Sequence, residues 1–283
     1  MALKIGYYPG CSLHGMSKSF DVSAQLVCRK LDIELKELPD WNCCGATSGH
    51  SVEPTLTLTL GARNLNLATK SGLQAVTTPC AACYSNLKKA SHDLIEPPKR
   101  ELAQELIGEK IEDVEVLHLM DVISEPSVIE NLKSNIKKKF KNLKLACYYG
   151  CLTVRPRTET EAVDSENPQT MDKLMKLIEA ETLDWSHKTE CCGGSFSICG
   201  PEIANIRTDE VLSQAKAAGA QAIVVACPLC HTNLEMRLHA QNSNLPVVFF
   251  TQLLGLALGY SVKEVELHKM LVNSFPWQEK LTS

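Results

Sequence analysis

The chain has 283 residues, 44% of them hydrophobic and 22% charged, with a formal net charge of -4. This describes a globular protein long enough for two domains with a sizeable core, and its acidity argues against a general nucleic-acid binder. Residues 1–14 lack the basic and then apolar profile of a secretory signal, and the most apolar stretch, 247–260, is broken by Thr251 and Gln252 and too short to span a bilayer, so the expected compartment is the cytoplasm.

In chain order, residues 4–11 (KIGYYPGC) read as a short apolar strand passing through Tyr7 and Tyr8 into Cys11. An apolar helical stretch around Cys28 follows. Residues 38–45 (LPDWNCCG) then bring the adjacent pair Cys43 and Cys44 before Gly45, whose freedom lets backbone turn close to a bound group. An amphipathic helix over about 55–71 stops at Gly72. A strand of buried type, 75–78, leads through Pro79 to Cys80 and Cys83, a C-x-x-C. Residues 114–123 read as a strand turning into a helix, and the lysine-rich stretch 133–141 as a solvated helix face.

The same five segments then recur. Residues 144–151 (KLACYYGC) end in Cys151, and 183–193 (LDWSHKTECCG) carry Cys191 and Cys192 before Gly193. A helix over about 203–218 stops at Gly219, a strand at 222–226 delivers Cys227 and Cys230, and 246–255 turn from strand to helix. A polar, acidic loop, 158–169, is inserted in this copy. Five segments in one order, twice, mark a tandem duplication that divides near Asn142 into residues 1–142 and 143–283.

Strands alternating with helices predict an α/β fold: two small parallel-sheet domains related by pseudo-twofold symmetry. Cys11, Cys80, Cys151 and Cys227 fall at or just past strand ends, where ligand groups collect in open α/β sheets, so each set of five cysteines should converge on one mouth. Thiols kept reduced in the cytoplasm read as metal ligands or redox groups rather than a disulfide framework. Thiolates select zinc, copper(I) or iron-sulfur clusters. Five is one more than tetrahedral zinc or an ordinary cubane needs. Adjacent cysteines also point apart in extended backbone, which suits two metals of one cluster better than one ion.

The doubled pattern of Cys, CCG and C-x-x-C resembles the cysteine-rich CCG domain found in the B subunit of heterodisulfide reductase and its relatives, from Gly6 to about Gly259. The resemblance implies two non-cubane 4Fe-4S clusters, one held by Cys11, Cys43, Cys44, Cys80 and Cys83, the other by Cys151, Cys191, Cys192, Cys227 and Cys230. It implies reduction of the mixed disulfide of coenzyme M and coenzyme B to two thiols, each cluster delivering one electron and capturing one sulfur. The chain has neither the ferredoxin run C-x₂-C-x₂-C-x₃-C-P nor a G-x-G-x-x-G fingerprint. Electrons are therefore expected from partners, which in the family are a ferredoxin-like subunit with two cubane clusters, the flavoprotein subunit that feeds it, and a hydrogenase or formate dehydrogenase behind them. CCG domains also occur as electron-transfer subunits of other redox complexes, and a different disulfide or persulfide substrate would leave the same motifs.

Outside the two sets, Cys28 and Cys147 read as small buried hydrophobes, and Cys199, with no equivalent in the first copy, as a bystander. His231, which follows the second C-x-x-C where the first has Tyr84, reads either as a proton donor to a leaving thiolate or as a hydrogen-bonding side chain near a cluster. His50 carries the same two readings. Arg155 and Arg157 read as cations for an anionic substrate or as solvated loop residues. Tyr7, Tyr8, Tyr148 and Tyr149 read as strand core.

Overall fold

The computed structural model describes residues 3–46, 49–160, 162–237 and 244–272. In the first half, strands β1 (Leu3–Tyr7), β2 (Ile33–Glu37), β3 (Ala75–Thr78) and β4 (Glu115–His118) form a four-stranded sheet in the order β2-β1-β3-β4, all neighbours parallel. In the second, β5 (Lys144–Tyr148), β6 (Glu181–Thr182), β7 (Ala222–Val225) and β8 (Val247–Phe249) repeat it as β6-β5-β7-β8. The fold is α/β in two similar halves. Strand β7 is buried throughout, the mark of a parallel strand covered by helices on both faces.

The order places a reversal of winding between the first and third strands of each half, the switch point at which a crevice opens beyond the carboxyl ends. The helix Pro54–Lys70 is entered through the Glu53 carboxylate, which accepts from the Thr55 amide at 3.1 Å. It ends before Gly72, and its counterpart Pro201–Ala217 ends before Gly219. Each C-x-x-C begins a helix, Ala81–Asp93 after Cys80 and Pro228–Arg237 after Cys227. Residues 136–141 are not a helix: only Lys133 of the lysine-rich stretch's lysines lies in one, Pro126–Asn135, because the amides of Lys137 and Lys138 turn to the Ala257 carbonyl at 2.8 and 3.0 Å.

Most of the buried side chains form one core that runs through both halves. The helix Lys18–Lys30 of the first half packs on Phe250–Ala257 of the second. Phe20 stacks on Phe249 with ring centroids 4.1 Å apart and meets Phe250 edge-on at 5.9 Å, and the hydroxyls of Ser23 and Thr251 share a hydrogen bond of 2.6 Å. A second core, including Leu65 and Leu87, is built from the first half, with Leu152 and Leu229 of the second packed against it.

Phe20 has no exposure to solvent. Phe20→Ala is expected to cost about 3–5 kcal/mol, read as a lower denaturant midpoint with little change in slope.

Candidate functional site

The ten patterned cysteines all lie beyond the carboxyl ends of the strands. Cys11 and Cys151 follow β1 and β5, the pairs follow β2 and β6, and the C-x-x-C motifs follow β3 and β7. In the first half Cys44, Cys80 and Cys83 are buried while Cys11 and Cys43 are exposed. In the second, Cys192, Cys227 and Cys230 are buried, Cys191 is exposed and Cys151 is intermediate. Each adjacent pair therefore has one inward and one outward member.

The sulfurs meet in strings. Cys44 Sγ lies 3.4 Å from Cys83 Sγ, and Cys192 Sγ 3.6 Å from Cys230 Sγ. Cys43 and Cys44, Cys80 and Cys83, Cys151 and Cys191, and Cys227 and Cys230 are near enough for each thiol to shift the proton affinity of its neighbour. Cys80 and Cys227 face each other across the junction of the halves, near enough for each thiol to shift the proton affinity of the other. Thiols set this close share protons: the neighbouring thiols of Cys43 and Cys83 hold Cys44 low, and those of Cys230 and Cys80 hold Cys227 low, while Cys83 and Cys80 are pushed up. Among the described residues no three His, Cys, Asp or Glu side chains are placed to hold a single metal ion. The fit to a soft polynuclear group is one of donor type and number, five thiols to a set.

Backbone holds the sulfurs in matching ways in both halves. The Gly45 amide donates to Cys43 Sγ at 3.4 Å and the Gly193 amide to Cys191 Sγ at 3.3 Å. Gly10 and Gly150, just before Cys11 and Cys151, have φ of 70° and 66°. A Cβ on Gly10 would stand 2.8 Å from Cys83 Sγ, and one on Gly150 3.0 Å from Cys230 Sγ. The space that a side chain would fill is left to a thiol.

Several supporting residues escaped the sequence reading. Asn86 Nδ2 donates to the Cys44 carbonyl at 2.9 Å, and Asn233 Nδ2 to the Cys192 carbonyl. Each follows its C-x-x-C by three residues, an identical offset that was open to notice. The Tyr8 hydroxyl donates to the Asn42 carbonyl at 2.7 Å and Tyr148 to that of Glu190 at 2.6 Å, just ahead of the pairs, so these core tyrosines also fix the pair loops. Arg63 and Arg207 brace the same loops: Arg63 Nη1 donates to the Asp40 carbonyl at 2.7 Å, and Arg207 Nε to the Cys191 carbonyl at 3.3 Å.

The second half has one brace of its own. Lys188 and Asp172 form a buried ion pair at 3.1 Å, and the Tyr149 hydroxyl donates to Asp172 Oδ2 at 2.7 Å. The Lys188 carbonyl accepts from the amides of Tyr149 and Gly150 at 2.8 and 3.1 Å. A buried pair satisfied on this scale ties the turn into Cys151 to the run before Cys191.

The other candidates have partners of their own. His231 is buried against Phe249 at 4.2 Å, with Nε2 3.1 Å from the Val247 carbonyl. Burial lowers its pKa to about 4, the environment of a hydrogen-bonding side chain. Arg155 is ion-paired with Glu166 at 2.7 Å and 40% exposed, and Arg157 opens a short helix, Arg157–Thr160. The His50 side chain lies outside the described residues. Cys28 and Cys147 are buried, with burial raising both thiols, Cys28 to about 12, and exposed Cys199 reaches the Ser195 carbonyl at 3.6 Å.

The family model described as "CCG: Cysteine-rich domain" matches residues 5–88 and again 145–235. The 8-methylmenaquinol:fumarate reductase membrane anchor subunit of Wolinella succinogenes is 30% identical over 97% of this chain and 99% of its own. The B subunit of the ferredoxin/F(420)H(2)-dependent CoB-CoM heterodisulfide reductase of Methanosarcina acetivorans is 27% identical over 98% of this chain and 97% of its own. A solved structure of a hypothetical protein from Helicobacter pylori superposes with a TM-score of 0.77 at 16% identity, over 95% of this chain. The chain spans 52% of that protein's length, and the likeness is one of fold. Among the described residues no helix is long and apolar enough to cross a membrane.

Two outcomes test the site's construction. Gly10→Ala is expected to cost about 1–2 kcal/mol for its left-handed backbone and to open Cys83 to thiol reagents. Gly72→Ala shares the left-handed φ but meets nothing within 4 Å, and should lose stability without exposing Cys83. The second outcome concerns Glu235, on the helix carrying Cys230, whose carboxyl is pushed up to about 7 by burial. A carboxyl raised from 4.5 to about 7 on folding gives stability fully present below pH 4.5 and lost as pH rises through 7. After discount for partial exposure the loss is about 2 kcal/mol, and denaturant titrations of Glu235→Gln across this window should show it removed.

Proposed function

Because the chain belongs to the cysteine-rich CCG family, we propose that it is an iron-sulfur redox subunit that reduces a small disulfide to two thiols. The observation that carries this reading is the meeting of the two five-cysteine sets, where the carbonyls just before Cys80 and Cys227 both lie 3.1 Å from His118 Nε2. In the proposal Cys11, Cys43, Cys44, Cys80 and Cys83 hold one non-cubane 4Fe-4S cluster, and Cys151, Cys191, Cys192, Cys227 and Cys230 the other. When bound, the two clusters supply one electron each, the two that cleavage of one disulfide requires.

The chain's own part is placement. Gly10 and Gly150 make room for inner thiols, and the asparagine, tyrosine and arginine braces hold the pair loops at fixed depth. The buried inner cysteines keep water from the junction, while the exposed Cys43 and Cys191 face outward. Arg155 is assigned contact with an anionic substrate. His231 takes the hydrogen-bonding role, its Nε2 engaged with Val247, and His50 remains the candidate proton donor. The division into two CCG domains is drawn at Asn142, between the matched segments.

The substrate proposed is the coenzyme M and coenzyme B disulfide named for the Methanosarcina relative, with electrons from ferredoxin-like and flavoprotein subunits of one cytoplasmic complex. The Wolinella relative, described as part of a fumarate reductase, favours a second reading as an electron-transfer subunit of a quinol-linked complex.

Anaerobically prepared protein should carry about eight iron atoms per chain with matching sulfide, and Cys227→Ser should lose about half of them. One zinc per half would sink the reading. Thiol release from the coenzyme disulfide with a low-potential dye selects the first reading, and a cluster-loaded complex that releases none selects the second.

A further inference from the structure

His118 holds a place that the duplication filled differently in the second half. By strand register Thr78 pairs with His118 and Val225 with Phe249. Thr78 and Val225 each stand two residues before the first cysteine of a C-x-x-C, so His118 is the counterpart of Phe249. Phe249 stacks on Phe20 and His231. His118 instead lies at the junction of the halves, 1% exposed, with Nε2 3.1 Å from the Pro79 carbonyl and 3.1 Å from the Ala226 carbonyl. Those residues immediately precede Cys80 and Cys227.

The tautomer follows from the other nitrogen. The Met120 amide donates to Nδ1 at 3.2 Å, so Nδ1 is the bare acceptor and, in the neutral ring, Nε2 carries the hydrogen. A single N–H is thus shared by two buried carbonyls, one from each half. Tyr84, one residue past the first C-x-x-C, packs edge-on against the ring at 5.7 Å and fixes its plane. If the donor is lost, two buried acceptors lose their partner at the point where the sulfur sets meet.

We propose that His118 is a positioning residue whose Nε2–H, shared between Pro79 and Ala226, fixes the separation of the two cysteine sets and thereby the coupling of the clusters they hold. The inference rests on the iron-sulfur reading above. It assigns the ring no contact with substrate and no part in proton transfer. Its effect runs through the backbone on which Cys80 and Cys227 are mounted.

The test uses the full chain, loaded with clusters anaerobically, as wild type and three variants. His118→Phe gives the first half the residue that the second already has, and His118→Met also removes the donor. His118→Gln keeps an N–H. Iron and sulfide are counted, and EPR spectra are recorded in a state in which both clusters are paramagnetic. The expected result is wild-type spin–spin broadening in the Gln variant, with loss of the broadening, or of iron, in Phe and Met. Full iron with unchanged broadening in Phe and Met overturns the proposal, as do wild-type clusters showing no interaction. Failure of Gln alongside the other two also overturns it, by assigning the role to ring volume. A wild-type chain that takes up no iron overturns the iron-sulfur reading itself, an outcome separate from the others because in them the wild type is loaded.

Discussion

The stack of Phe20 on Phe249, with Phe250 edge-on beside it, joins a helix of one half to a strand end and helix of the other. The sulfur sites depend on this packing, because each half places its own cysteines by its own strand ends but neither can place them relative to the other set. A core common to both sheets does so, and hydrophobic burial of this extent is the main stabilising term available to the fold. The polar contacts at the junction, from Ser23 to Thr251 and from Tyr84 to the Thr160 carbonyl at 3.1 Å, then select one alignment of the two halves.

Within each half the site follows from winding order. A parallel sheet that starts at an inner strand must send its next connections to opposite sides, and the ends of the first and third strands flank the gap. Most of the thiols placed there sit on loops, and Cys11, Cys83 and Cys230 sit in helices. Those of the C-x-x-C motifs are set by the helices that begin there, and those of the adjacent pairs by loops that asparagine, tyrosine and arginine side chains tie down. Residues of the same type do the same job on both sides, Asn86 and Asn233 or Tyr8 and Tyr148, so the halves resemble each other in their supporting residues as well as in geometry.

Much of this was legible from residues alone. The strands before Cys11, Cys80, Cys151 and Cys227 and the helices ending ahead of Gly72 and Gly219 fall where the pattern puts them, because buried parallel strands and helix ends carry strong local signals. Strands β2 and β6 went unseen: β2 is mostly exposed or half-exposed and β6 is two residues long, so neither shows an apolar run. The shared core was also hidden, since periodicity shows that a helix such as Lys18–Lys30 has an apolar face but not which half covers it. His118 was invisible for a different reason. It occurs once, and a reading built on what repeats passes over what does not.

The segment joining the halves bears on how the molecule can move. The Lys137 and Lys138 amides are bonded to Ala257, and the Phe140 amide donates to the Ile178 carbonyl at 2.8 Å, so the crossover is fastened to the second half along its length. A hinge needs a few residues free to change φ and ψ, and here those residues are committed while the faces on either side are packed. The joining segment is therefore a fastening rather than a free hinge, and Cys43 and Cys191 of the sulfur sites, which meet solvent, lie on loops outside it.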